Sequence, residues 1–222
     1  MYSILTIVIA YCWGSIPTAY LVARNIQGID IRDYGSGNVG ASNVIIQMGK
    51  RLGVAIGLFD GLAKGTIPII LAKLLDLSLL AQIGVGLASV AGHNWSIFLG
   101  FSGGRGVSTA LGTYVGFGLW QQLIAGILIV GLVGWLLFRN FALWMLIGIA
   151  FMGVLAYMLG QPSELMFLLF GLTVLIALKR LFPNRRRPAS TQSAVRTFVY
   201  RLLYDRDVAR RDDWVQWKPD NC

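Results

Sequence analysis

Charged residues, cysteine and histidine are all scarce in this sequence. Asp, Glu, Lys and Arg make up 13% of the 222 residues, whereas soluble domains contain about 25%. Hydrophobic residues reach 56% and the mean hydropathy is +0.66, which excludes a disordered chain and argues against an ordinary soluble domain. Cys12 lies in an apolar segment and Cys222 at the terminus, so we expect no intramolecular disulfide. A membrane protein is the class that remains.

Seven apolar runs, bounded by glycine, proline or charge, are candidates for membrane spans. They cover residues 2–23, 53–75, 78–99, 107–119, 121–138, 141–159 and 163–178. The stretch 107–138 is too long for one ordinary span, so we place a turn at 118–121. The sequence therefore predicts an all-α fold, a polytopic membrane helix bundle with about seven transmembrane helices.

Basic residues are distributed unevenly along the chain. With the N-terminus outside, six Lys and Arg residues in loops and eleven after the last span, at residues 179–218, face inward, which is 17 of the 19. This bias predicts an N-terminus outside and a cytoplasmic C-terminus. The polar loops 24–52 and 92–106 then face the cytoplasm as well. A basic tail beside a hydrophobic bundle favours an anionic membrane surface, and we predict no nucleic-acid partner.

The second span combines small residues with charge. Four of its glycines recur at every fourth position: Gly53, Gly57, Gly61 and Gly65. Gly112 and Gly116 repeat the spacing, and both patterns predict close helix packing. Asp60 and Lys64 lie at i and i+4 inside the span, where an unpaired charge costs about 3 kcal/mol or more, so we expect an ion pair. Two interpretations stay open, a functional site in the membrane and a bridge that ties the bundle together.

The first polar loop groups glycines with neutral hydrogen-bond donors. Gly35, Gly37 and Gly40 satisfy the pattern G-x-G-x-x-G. No strand precedes them and a membrane span follows, so we reject a dinucleotide site. Glycines still allow backbone N–H groups to converge on an anion. Polar side chains surround them, namely Ser36, Asn38, Ser42 and Asn43, and the loop is therefore a candidate phosphate site.

The second polar loop contains a guanidinium among glycines. Gly103, Gly104, Arg105 and Gly106 precede a predicted helix, which gives a second candidate oxyanion site. His93 is the one histidine of the chain. A lone histidine is more often a structural hydrogen-bond donor than a catalytic base, and both roles stay open. Two phosphate sites at one membrane surface suggest an enzyme that joins a soluble phosphorylated molecule to a lipid.

These segments resemble one family of membrane enzymes. The chain resembles the bacterial acyl-phosphate:glycerol-3-phosphate acyltransferases. The resemblance is carried by residues 14–21, 28–32, 35–43 and 92–109, together with Asp60, Lys64 and Gly65. The resemblance covers residues 1–187. It implies an enzyme of the bacterial inner (cytoplasmic) membrane that moves an acyl chain from acyl phosphate to the 1-hydroxyl of glycerol 3-phosphate, giving lysophosphatidic acid for phospholipid biosynthesis. It implies contact with membrane lipid, no cofactor, and neither acyl-CoA nor acyl carrier protein as direct donor.

The resemblance also implies roles for individual residues. Ser36, Arg105 and Asn184 take the catalytic positions. The phosphate- and substrate-binding positions are Gly35, Gly37, Asn38, Gly40, Asn43, His93, Asn94, Gly103, Gly104 and Gly106. No metal ligand is predicted.

Four positions depart from the family pattern. Arg105 stands where lysine is usual, Ala142 where serine is frequent, Leu181 where a histidine precedes the Pro-Asn pair, and Ile46 where arginine is usual. Losing that arginine removes a charge-assisted hydrogen bond worth about 1.5 to 3 kcal/mol. Three cations of the same loop are candidates to replace it, Arg32, Lys50 and Arg51. The departures keep an alternative open, a diverged, weakly active or non-catalytic paralogue that binds phosphate ligands or scaffolds lipid synthesis.

The donor that the resemblance implies determines the expected mechanism. Acyl phosphate is an activated mixed anhydride, so positioning of the acceptor hydroxyl can supply about 7 to 11 kcal/mol of the barrier reduction. We expect direct transfer without a metal, with a phosphate group taking the proton. Ser36 as a covalent nucleophile is the rival mechanism, but no base stands next to it in the sequence.

Residues 188–222 form a separate basic tail. Its apolar residues follow helical spacing: Val195, Phe198, Val199, Leu202 and Leu203. Arg210, Trp214 and Trp217 follow them. The pattern predicts an amphipathic helix on the membrane surface, and a helix that binds a partner protein is the alternative.

Overall fold

The computed structural model describes residues 2–138, 140–184 and 193–207. Regular structure in these ranges is helical, and their one β-bridge, between Ser96 and Ser102, is isolated. The helices are α1 (Tyr2–Gly14), α2 (Thr18–Gln27), α3 (Ala41–Met48), α4 (Lys50–Phe59), α5 (Ile67–Leu74), α6 (Leu79–Asn94), α7 (Val107–Phe117), α8 (Trp120–Leu128), α9 (Phe141–Met158), α10 (Glu164–Leu181) and α11 (Ala194–Tyr204). One π-helical segment, Asp60–Thr66, joins α4 to α5, and another, Ile129–Leu137, continues α8. The all-α prediction is confirmed.

The surface of the bundle is apolar and its interior contains charge. Two helical runs, Tyr2–Gln27 and Lys50–Leu74, are long and apolar enough to cross a membrane, and Trp120–Gly134 and Ala142–Met158 are shorter apolar helices. Phe170 is 72% exposed, whereas Lys64 and Lys179 are each 1% exposed. This distribution is the one expected of a bundle surrounded by lipid.

The first predicted span, residues 2–23, is not one continuous helix. Helix α1 ends at Gly14 and α2 begins at Thr18, because Pro17 lacks the N–H that a continuous helix requires. The Ile16 carbonyl accepts a hydrogen bond from Lys64 Nζ at 2.6 Å. Trp13 Nε1 donates to the Ala63 carbonyl at 2.7 Å. The break therefore attaches the first span to the second.

The glycines of the second span pack against two different helices. A Cβ added to Gly112 of α7 would lie 1.9 Å from the Gly61 carbonyl oxygen, so α7 and the π-helical segment are in backbone contact. A Cβ on Gly53 would lie 2.8 Å from the Ala41 carbonyl oxygen, so the other end of the strip faces α3. The predicted close packing is confirmed, and the part of the strip that faces α7 lies within the π-helical segment.

Two connections differ in how well the sequence predicted them. The polar loop 24–52 contains α3, which was not predicted, and α4 begins at Lys50 rather than at residue 53. The predicted turn is confirmed but is shorter than 118–121, since α7 ends at Phe117 and α8 begins at Trp120; Gly118 between them has a left-handed φ of 78°.

Helix α11 contains the apolar pattern of the tail. Val195 and Phe198 are 75% and 53% exposed, and Arg180 Nη1 of α10 donates to the Leu202 carbonyl at 3.2 Å. The C-terminal end of α11 thus contacts the bundle, and apolar side chains of the helix remain exposed. The tail residues Arg210, Trp214 and Trp217 lie outside the described residues.

Candidate active site

Asn43 organises the first glycine loop. Its buried side chain stands in the first turn of α3. Its Nδ2 donates to the carbonyls of Ile31, Tyr34 and Asn38 at 3.0 to 3.1 Å, and its Oδ1 accepts a hydrogen bond from Ser36 N at 3.3 Å. One carboxamide therefore holds the backbone from residue 31 to residue 38.

Ser36 lies at the turn of this loop. Gly35 and Gly37, on either side, have left-handed φ values of 54° and 67°, which side chains rarely permit. The Ser36 hydroxyl oxygen accepts a hydrogen bond from Asn38 N at 3.3 Å, and the residue is half-buried. Asn38 is buried, and its Oδ1 has no hydrogen-bond partner in the described part of the chain. The loop thus offers a ligand the Ser36 hydroxyl and one unpaired hydrogen-bond acceptor, Asn38 Oδ1.

The second glycine loop lies directly on the end of α6. Gly104 N donates to the His93 carbonyl at 2.9 Å, and a Cβ on Gly104 would lie 2.0 Å from His93 Nε2. Gly106 has a left-handed φ of 74°, and its Cβ would lie 2.4 Å from Asn94 Oδ1. A Cβ on Gly103 would lie 2.3 Å from the His93 carbonyl oxygen. These positions therefore need glycine so that the loop can approach His93 and Asn94.

Asn184 joins the two loops. Its Nδ2 donates to the carbonyls of Gly37 at 2.9 Å and of Gly103 at 2.8 Å. Its Oδ1 accepts from Gly103 N at 2.9 Å. A direct hydrogen bond from Val39 N to the Gly103 carbonyl, 3.2 Å, strengthens the junction, and Gly40 approaches Gly104 on the same side. The structure thus brings together three segments that the sequence analysis assigned to one site.

Arg105 is bound by the C-terminal tail. Its Nε lies 2.8 Å and 3.0 Å from the two carboxylate oxygens of Asp205, which follows α11. Its Nη1 donates to the Lys179 carbonyl at 3.2 Å, and the residue is 9% exposed. Asp205 therefore neutralises the guanidinium that was predicted to bind phosphate.

Lys179 belongs to the same cluster, although the sequence analysis counted it only among the basic residues that follow the last span. It lies in the last turn of α10 and is 1% exposed. Its Nζ donates to Asn184 Oδ1 at 2.7 Å and lies 5.6 Å from the Trp95 ring centroid. The sequence signal that could have linked Lys179 to the site is its position five residues before Asn184. Asp205, 100 residues after Arg105, has no comparable signal.

Asp60 and Lys64 form a buried ion pair, with 2.6 Å between Oδ1 and Nζ. The same Asp60 oxygen accepts a hydrogen bond from the Thr18 hydroxyl at 3.1 Å. The other carboxylate oxygen lies 3.9 Å from His93 Nδ1. The pair therefore connects α2, the π-helical segment and α6, and it reaches the second glycine loop through His93.

The positions that depart from the family pattern lie in two regions. Ile46 is 43% exposed on α3. The Ala142 carbonyl accepts from Arg180 Nη1 at 2.8 Å and the Leu181 carbonyl from Arg201 Nη1 at 3.2 Å, so both belong to the junction of α9, α10 and α11.

Of the three cations considered as replacements for the missing arginine, Arg32 already has a partner. Its Nη2 pairs with the Asp30 carboxylate at 2.6 Å, and this hydrogen-bonded pairing raises the pKa of the guanidinium above its ordinary value. Lys50 and Arg51 are exposed at the start of α4.

Comparisons with known proteins agree on one family. The family model described as glycerol-3-phosphate acyltransferase matches residues 4–187. Glycerol-3-phosphate acyltransferase 5 of Dehalococcoides mccartyi is 38% identical over 221 residues, covering 96% of this chain and 92% of the relative. The glycerol-3-phosphate acyltransferase of Endomicrobium trichonymphae is 37% identical over 195 residues, covering 88% of this chain and 96% of the relative.

Solved structures agree with this assignment. The glycerol 3-phosphate form of PlsY (YgiH), an integral membrane glycerol 3-phosphate acyltransferase, has a TM-score of 0.72 and 31% identity, covering 86% of this chain and 97% of that one. Its lysophosphatidic acid form has a TM-score of 0.70 and 29% identity, covering 81% of this chain and 88% of that one. The chain therefore belongs to the glycerol-3-phosphate acyltransferase family.

Proposed function

We propose that this chain is an integral membrane enzyme that acylates the 1-hydroxyl of glycerol 3-phosphate and so produces lysophosphatidic acid. The observation that carries the proposal is the junction at Asn184, where one carboxamide bonds to Gly37 and to Gly103 and joins two phosphate-type loops. PlsY has been solved in a glycerol 3-phosphate form and a lysophosphatidic acid form, the acceptor and the product of this reaction. A non-catalytic paralogue is not favoured by these relatives.

Acyl phosphate is the donor that fits a site with two phosphate loops. The acceptor oxygen forms a bond to the acyl carbon, and the bond from that carbon to the phosphate oxygen breaks. The hydroxyl proton passes to a phosphate oxygen, and inorganic phosphate leaves. The protein has to hold the two substrates in contact, which can supply about 7 to 11 kcal/mol, and no cofactor is needed.

Ser36 acts in this mechanism as a substrate-binding residue and not as a nucleophile. A serine nucleophile needs an adjacent base. The hydrogen bond that the structure shows for the Ser36 hydroxyl comes from the backbone N–H of Asn38 and not from a histidine or a carboxylate. His93 contacts Gly104 and approaches Asp60, which favours a role in positioning the second loop.

The location follows from charge. We infer an enzyme of the bacterial inner membrane with about seven spans, an outside N-terminus and both glycine loops in the cytoplasm, supported by the 17 of 19 basic residues that this arrangement places inside. The family match to residue 187 supports residues 1–187 as the acyltransferase-like domain and 188–222 as a basic tail.

The test is turnover by the purified protein in lipid vesicles given acyl phosphate and glycerol 3-phosphate. We expect lysophosphatidic acid and inorganic phosphate in equal amounts, and no product when acyl-CoA or acyl carrier protein thioester replaces acyl phosphate. Ser36→Ala should lower kcat/KM by about tenfold to a hundredfold, the effect of one hydrogen bond to a charged group. Ser163→Ala, which changes an exposed serine between α9 and α10, is the matched control.

Two results would contradict the proposal. Absence of product with acyl phosphate would show that the protein lacks the proposed activity. An acyl ester on Ser36, trapped by rapid quenching and located by mass spectrometry, would replace direct transfer with a covalent mechanism.

A further inference from the structure

Two buried cations lie near Asn184, and one of them is paired with a carboxylate. Arg105 is paired with Asp205 at 2.8 Å. Lys179, whose carbonyl accepts from Arg105 Nη1, has no carboxylate partner in the part of the chain that the structure describes. This corner of the molecule therefore has a net positive charge in a buried position.

The partners of the Lys179 ammonium are neutral. They are the Asn184 amide oxygen at 2.7 Å and the face of the Trp95 ring at 5.6 Å. An ammonium group in a nonpolar environment costs several kcal/mol unless an anion compensates it. With three N–H groups, Nζ keeps donors for a further acceptor after it has bonded to Asn184.

The position of this ammonium is also informative. The Asn184 oxygen that it contacts also accepts from Gly103 N at 2.9 Å. The Asn184 nitrogen donates to the carbonyl of Gly37, next to Ser36. Lys179 Nζ is therefore one hydrogen bond from the residue that binds both glycine loops, and these loops offer an anion hydrogen-bond donors but little charge.

We infer that Lys179 is a phosphate-binding residue of the acyl-transfer site and that it supplies the positive charge that Arg105, already paired with Asp205, does not. The inference rests on the proposed function. Its ligand is a phosphoryl group, which belongs to glycerol 3-phosphate or to acyl phosphate, and the experiment separates these two sources.

The experiment compares Lys179→Gln and Lys179→Met with the parent chain in lipid vesicles. The KM of each substrate is measured separately, and binding of glycerol 3-phosphate and of inorganic phosphate is measured by calorimetry. We expect both variants to raise one KM and the matching Kd by about tenfold to a hundredfold, the effect of one charge-assisted bond. A rise for glycerol 3-phosphate assigns Lys179 to the acceptor, and a rise for acyl phosphate assigns it to the donor.

A structural role for Lys179 predicts a different result. Lys179→Gln keeps an N–H donor for Asn184 and removes the charge, so a residue that only holds Asn184 would tolerate it. The unfolding midpoint of Lys179→Met should not fall, because a buried apolar side chain does not incur the desolvation cost of an ammonium. Lys73→Gln is the matched control, since Lys73 Nζ also binds a carbonyl, at 2.8 Å, and an aromatic ring, at 5.5 Å, but is exposed at the far end of α5.

The inference is overturned if every KM and Kd of Lys179→Gln and Lys179→Met stays within twofold of the parent values. Failure of the proposed function gives a different result, a parent chain without turnover. In that case the calorimetric comparison still decides, because phosphate binding that weakens in both variants supports the inference. A parent chain that binds neither glycerol 3-phosphate nor phosphate contradicts it.

Discussion

At the scale of single residues, the site depends on two carboxamides. Glycine loops allow a backbone to surround an anion but do not fix it there, because glycine has the largest conformational freedom in the unfolded chain. Asn43 bonds to four backbone groups of the first loop, and Asn184 bonds to both loops. The two asparagines therefore supply the rigidity that the glycines lack.

Asn43→Asp tests this role with almost no change in side-chain volume. The substitution replaces an amide that donates to three carbonyls with a carboxylate, which repels them. We expect the free energy of unfolding to fall by about 1 to 3 kcal/mol or more and turnover to be lost, measured by denaturant unfolding in detergent and by product formation.

Asn140→Asp is the control for that substitution. Asn140 precedes α9, and its Oδ1 accepts from Leu143 N at 3.3 Å, a capping role that aspartate fills equally well. The free energy of unfolding of the Asn140→Asp protein should therefore differ little from that of the parent chain. Equal losses in Asn43→Asp and Asn140→Asp would show that Asn43 has no special role in the loop.

The sequence predicted the neutral part of the site better than its charges. Glycines flanked by Ser36, Asn38 and Asn43 are a local pattern, so the loop was recognisable without a structure. Replacements for the cation missing at Ile46 were sought within the same loop, whereas the buried cation that contacts Asn184 is Lys179 of α10. The pairing of Arg105 with Asp205 depends on a contact between segments 100 residues apart, which sequence spacing does not predict.

At the scale of helices, hydropathy predicted where apolar segments lie but not where they are interrupted. The first span breaks between Gly14 and Thr18, and the second contains a π-helical turn at Asp60–Thr66. Both irregularities serve one contact, because Lys64 of the turn donates to the Ile16 carbonyl at the break. Apolar composition is insensitive to such hydrogen bonds, which explains why two continuous helices were expected.

The contact between the second span and α7 can be tested with one methyl group. A Cβ at Gly112 would lie 1.9 Å from the Gly61 carbonyl oxygen, whereas a Cβ at Gly131 would meet no atom within 4 Å. We expect Gly112→Ala to lower the free energy of unfolding by about 1 to 3 kcal/mol through overpacking. Gly131→Ala should be neutral or stabilising by up to about 1 kcal/mol, because alanine favours a helix.

Unfolding midpoints of both variants, measured in the same detergent, provide the comparison. A Gly112→Ala protein as stable as the parent would show that α7 can move away without loss. The close glycine contact would then have no energetic importance.

At the scale of the whole molecule, the charge distribution and the position of the site point to one arrangement. The two glycine loops and Asn184 meet at one end of the bundle. Arg105, Lys179 and Arg180 are buried near the same junction. A soluble phosphorylated acceptor has to reach this end from water, and glycerol 3-phosphate is a cytoplasmic metabolite in the proposed reaction. We therefore expect this end to face the cytoplasm.

Cysteine labelling tests that orientation in intact cells. The background carries Cys12→Ser and Cys222→Ser. Two single-cysteine variants are made in it, one with Lys50→Cys and the other with Ser163→Cys. Both positions are exposed at helix starts. The arrangement with an outside N-terminus puts Lys50 in the cytoplasm and Ser163 outside. A membrane-impermeant maleimide should therefore label Ser163→Cys in spheroplasts and Lys50→Cys after permeabilisation. Labelling in the reverse order would place the glycine loops outside, away from the cytoplasmic acceptor, and the proposed reaction would lose its substrate supply.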